Sequence, residues 1–310
     1  MSTSITRGSW LAILLAAAAA SARGLAWAPG LTLAGLAGTA WPWLRAWRAA
    51  EGTALRPALV WAAIALALAG LSSAVALTES VESGRPLAGQ VGYLSTLAMF
   101  AALISVLNAR TPGGGAWAIL MALLLVVFLV PWLEGPGLVR EAGGWDRLRL
   151  TAPWTIFYVL LVVAGVTNYL PTRFGLAAVW LGIGFAAEFL GLIRLGWSHE
   201  MRGRVWTAVP LCWGLAAWFA DLAGIRPDPA PPGLGWLWAW FCDCWGVVWA
   251  LRVQERFNRA AESAGWPVRL TWRGVVGEAP PEATATLIGL LRRFARTGRL
   301  EEISGSREDS

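Results

Sequence analysis

The 310 residues are 57% hydrophobic and 14% charged, with a mean hydropathy of +0.56, which excludes an ordinary soluble globular domain. All 25 basic residues are arginine and His199 is the single histidine, so lysine Schiff-base chemistry, bis-histidine haem ligation and histidine-rich metal centres are unavailable within one chain. The net charge of +6 has its basic excess at the C-terminal end, where anionic lipid headgroups are the expected partners; no nucleic-acid-binding motif is present.

The chain opens with Arg7, an apolar stretch from Trp10 to Ala20, and small residues before Arg23. This pattern fits a cleavable signal peptide, and equally the first limb of a hairpin turning at Pro29 and Gly30. The hairpin is preferred, because polytopic proteins are commonly targeted by an uncleaved first helix. Apolar runs then follow at about 31–44, 57–78, 91–108, 116–133, 153–170, 174–194, 204–224 and 234–253. A spanning helix needs about 20 mostly apolar residues. Continuous rather than alternating hydrophobicity selects helices over a barrel. The expected fold is therefore an all-α, polytopic transmembrane bundle of eight or nine spans occupying residues 1–252.

Short connections such as 110–115 and 171–173 make their flanking helices antiparallel neighbours. Tryptophans at 41, 43, 47, 132, 154, 197 and 206 lie where spans should meet headgroups. Gly182 and Ala186, four apart, mark close helix packing, and Pro210 should kink the eighth run. With nine spans, arginines in short loops divide eight against seven between the two faces, and Arg252, Arg256 and Arg259 break the tie toward a cytoplasmic C-terminus in the plasma or inner membrane. That choice leaves Arg45, Arg48 and Arg56 on the unfavoured side.

Beyond residue 252 the composition becomes charged. The last run should continue as a helix to Glu262 and stop at Gly265, Trp266 and Pro267. The tail, 253–310, is expected to be cytoplasmic and basic, with a helix over about 281–298 in which Leu287, Leu290, Leu291 and Phe294 form an apolar stripe. Arg292, Arg293, Arg296 and Arg299 accompany it as candidate headgroup contacts. The stripe fits a helix lying on an anionic membrane, and also one packed on the protein's own cytoplasmic face.

Acids inside spanning helices each cost about 2.5–3.5 kcal/mol at the helix centre and are the natural functional candidates. Three are present: Glu188, Asp221 and Asp243. At 1.5 Å per residue they would lie roughly 21, 6 and 14 Å from one face, a staircase needing water or hydroxyls to carry protons. Asp243 shares a helix face with Trp236 and Trp240, whose indoles could satisfy it. Cys242 and Cys244 flank Asp243, but positions two apart point to nearly opposite sides, so no metal site or cofactor is expected, and Cys212 reads as a buried hydrophobe.

The segment from Asp243 to Trp249, Asp-Cys-Trp-Gly-Val-Val-Trp, resembles the Asp-Phe-Trp-Gly-Arg-Arg-Trp signature of wax synthases, polytopic membrane-bound O-acyltransferases. The resemblance covers seven residues. Val247 and Val248 stand for the family's paired arginines, Ala250 for its histidine or asparagine, and His199 is the one candidate for its intramembrane histidine. It implies a lipid-directed O-acyltransferase-like protein. Without it, no set of catalytic residue types converges anywhere. The expectation is a non-catalytic membrane component acting in assembly, partner or lipid binding, with other membrane subunits among its candidate partners, followed by a proton- or cation-coupled transporter using the acids.

Overall fold

The computed structural model describes residues 2–80, 86–108, part of 119–133, 152–192, 199–224 and 233–305. It is mostly helical. In chain order the elements are α1 (Ser2–Ala22), α2 (Ala28–Gly38), α3 (Ala40–Ala49), α4 (Arg56–Thr78), α5 (Pro86–Asn108), α6 (Ala152–Tyr169), α7 (Gly175–Leu192), α8 (His199–Ala223), α9 (Leu234–Ala264), the hairpin β1 (Val268–Thr271) and β2 (Gly274–Gly277), α10 (Pro281–Leu291) and α11 (Thr297–Ser304). The residues described between 119 and 133 are helical too. Five helices are long and apolar enough to cross a membrane: Arg56–Thr78, Leu87–Leu107, Gly175–Leu192, Gly203–Ala223 and Leu234–Ala264.

The bundle is built on close approaches that small residues allow. Gly35 and Gly214 both face Leu14 of α1, Gly38 faces the Trp10 ring, and Gly182 packs on Val166 of α6. A side chain at any of these would displace its neighbour. Outward, α4, α6 and α7 present Val60, Ile64, Leu71, Ile156, Leu160, Val163, Leu176 and Ile183 to the surroundings. A surface this apolar is suited to lipid contact.

The first hairpin turns at residues 23–27, slightly earlier than Pro29. Its second limb differs more. The run expected at 31–44 divides into α2 and α3 at Thr39, whose hydroxyl donates to the Leu36 carbonyl at 2.5 Å. The 11 residues of α2 reach only about 16 Å. On α3, Trp41, Leu44 and Arg48 are exposed, whereas Trp43 donates its indole N–H to the Leu59 carbonyl at 2.9 Å and stacks on Trp47.

One end of the bundle can be traced through contacts. It carries α3, the loop 50–55, the end of α5, the α6–α7 turn and the end of α8, and Arg45 of α3 pairs with Asp221 of α8 at 2.7 Å. Residues 234–305 cover this end as a cap. The Trp249 indole donates to the Val106 carbonyl of α5 at 3.2 Å, and the Ala54 and Arg296 amides donate to the Phe294 and Gly52 carbonyls, each at 2.8 Å. The cap has its own core. Phe294 sits edge-on to Phe241, Trp245 and Trp249 at centroid distances of 4.9–5.4 Å, with Leu287, Leu291, Leu300 and Ile303 buried around them.

Two features of the tail differ from expectation. Against the all-α expectation, 268–277 is a two-stranded antiparallel hairpin held to α9 by Trp238, whose indole donates to the Thr271 carbonyl, and by Asn258, bonded both ways to Leu270. The helix expected over 281–298 ends at Leu291, because the chain must bend to insert Phe294 into the aromatic cluster; α11 follows separately. The apolar stripe of Leu287, Leu291 and Phe294 is thus buried on α9. As expected, α9 runs past Glu262 and stops at Gly265, whose φ of 69° is a left-handed cap.

Candidate functional site

The 31-residue helix α9 is interrupted at Gly246, where φ is 70° and ψ is −170°. Such a break frees backbone groups that lie in an apolar setting and must find partners. Asn168 and Tyr169, at the end of α6, supply them. Asn168 donates Nδ2–H to the Trp245 carbonyl at 3.3 Å and accepts the Val248 amide at 2.9 Å, while the Tyr169 hydroxyl donates to the Cys244 carbonyl at 3.1 Å. A Cβ at Gly246 would collide with Asn168. The glycine thus provides both the left-handed turn and the room for the latch.

Asp243 lies three residues before this break. Its Oδ1 accepts the Arg173 backbone amide at 3.3 Å, and its Oδ2 lies 3.2 Å from Arg173 Nε. The partner therefore comes from the α6–α7 turn, and the acid sits at the level of that turn rather than about 14 Å inside. Asp221 is likewise held by Arg45 from α3.

Glu188 is different. It is fully buried on α7. Its Oε2 accepts hydrogen bonds from the hydroxyls of Thr96 and Tyr158, and Oε1 has no hydrogen-bond partner among the described residues. Its partner Tyr158 is packed against the rings of Phe100, Phe185 and Phe189, and Phe185 in turn against Trp213. The three acids are thus held by partners on different elements: Asp221 by α3, Asp243 by the α6–α7 turn, and Glu188 by α5 and α6.

Cys242 and Cys244 do not converge with any third ligand, and among the described residues no three His, Cys, Asp or Glu side chains come together for a metal. His199 opens α8, with its side chain outside the described residues, as is Arg194. Among the candidate headgroup contacts, Arg292, Arg293 and Arg296 are exposed, whereas Arg299 pairs with Glu302 at 2.7 Å. The latch residues Asn168, Arg173 and Gly246 carry no signal as single letters. The available hint was a polar Asn168 ending an apolar run that the short 171–173 connection brings back at once. No family model matches the chain, and neither does any curated protein or solved structure.

Proposed function

We propose that this is a non-catalytic membrane component that crosses the bilayer eight times and presents a folded cap on the cytoplasmic side for binding partners or lipid. The crossings are α1, α2 continued into the start of α3, α4, α5, the helical residues described within 119–133, α6, α7 and α8; α9 lies against the bundle end as part of the cap. The observation that carries this is the latch at Gly246. Both halves of α9 contact the same β-hairpin, through Trp238 and Asn258, and its middle is bonded to Val106, Asn168 and Arg173, all at helix ends or turns on one face. A straight ninth span could not meet these partners together.

Folding α9 back puts Arg45, Arg48 and Arg56 on the same side as Arg252, Arg256 and Arg259, and moves the eight loop arginines first counted with the C-terminus to the other face; with Arg252, Arg256 and Arg259 included the balance is ten against eight, a narrower margin that still favours a cytoplasmic cap. Two of the three acids are neutralised by arginines on that face, which weighs against a continuous chain of proton sites. The cap instead supplies a rigid, charged surface fixed to the membrane domain.

The test is isolation of the full-length protein from its native membrane in mild detergent, beside a Phe294→Ala form whose cap is loosened. A partner recovered in fixed ratio with the wild type and lost from the variant is the expected result. A chain that runs alone in both preparations contradicts assembly as the role.

A further inference from the structure

The turn between α10 and α11 carries Arg292, Arg293 and Arg296 in exposed positions, and the exposed Arg48 lies on α3. Among the described residues no carboxylate lies within ion-pair distance of any of these four. The turn is not free to wander. The Ala54 and Arg296 amides are bonded to the Phe294 and Gly52 carbonyls, and a bridge joins Thr53 to Ala295, so residues 294–296 lie along the loop through which the chain enters α4.

That loop marks a definite level. Immediately before it, α3 carries Trp41, Trp43 and Trp47, and immediately after it Arg56 stacks over the Trp47 ring at 5.1 Å. Indoles concentrate at the headgroup layer, where an apolar ring and a polar edge are both satisfied. An arginine turn fastened to this level would meet phosphates if the indoles mark the headgroup layer. Guanidinium groups bind phosphate oxygens in bidentate fashion, and Phe294 and Ala295, buried between Arg293 and Arg296, hold the turn in shape before any ligand arrives.

We propose that Arg292, Arg293 and Arg296 form a binding site for the phosphate headgroups of anionic phospholipid in the membrane that holds the bundle. This rests on the cap lying against that membrane, and it gives the cap a defined lipid ligand. Bound lipid would tie the cap to the bilayer at a second point, in addition to the latch at Gly246.

The experiment uses full-length protein in neutral detergent titrated with fluorescent phosphatidylglycerol, with phosphatidylcholine as the reference lipid. Three forms are compared: wild type, R292Q/R293Q/R296Q, and a charge-matched control R256Q/R269Q/R273Q. Wild type should prefer phosphatidylglycerol, the first variant should lose affinity on the order of a hundredfold, and the control should bind like wild type. Equal loss in both variants, or no loss in the first, overturns the site. Displacement of the lipid by an equal concentration of inorganic phosphate overturns the assignment to lipid. Unchanged melting temperature of each variant in detergent shows that folding is retained, and because the readout needs no partner protein, its failure is separate from a failure of assembly.

Discussion

At Gly246 the backbone adopts a conformation that a side chain resists, and it does so against Asn168, whose amide replaces the hydrogen bonds that the helix has lost. Two penalties therefore meet in one substitution. Gly246→Ala should destabilise the protein by about 1–3 kcal/mol from the left-handed turn, and more where Asn168 is pushed away, read as a lower melting temperature in detergent. A melting temperature equal to that of wild type would mean that the break is not held as described. The acids show what single residues could and could not disclose. That Glu188, Asp221 and Asp243 are expensive in an apolar run is visible in the letters. Their partners Thr96, Tyr158, Arg45 and Arg173 come from distant elements, and no local pattern relates them.

Among the elements, the spanning helices were the most legible, because α4, α5, α7 and α8 are long runs without a competing signal, and the structure places them within a few residues of expectation. The cap was the least legible. Strands of four residues are too short for alternation to register, and α9 has the composition of a span because its tryptophans and phenylalanines fill the cap's own core. What decides its character is tertiary: Phe294 arrives from 45 residues beyond Trp249 to complete the cluster. Truncating it should release the cap. Phe294→Ala removes an aromatic ring from a fully packed site, a loss of about 3–5 kcal/mol, and limited trypsin digestion should then cut at Arg292 and Arg293 much faster than in wild type. Equal cleavage rates would show that the tail is not fastened by this residue.

For the whole molecule, the decisive relation is between α9 and the bundle end. If the helix is bent back, residues at its two ends emerge on one side, the span count is even, and the arginines of α3 and of the cap share a compartment. If it crosses, none of this holds. Gly235 and Ser263 are both exposed, near opposite ends of α9, and can each be replaced by cysteine in a protein whose own three cysteines have been removed. Labelling with a membrane-impermeant maleimide in sealed vesicles of known orientation measures the relation directly. Both positions should react from the cytoplasmic side and neither from the other; reaction of one from each side would contradict the account.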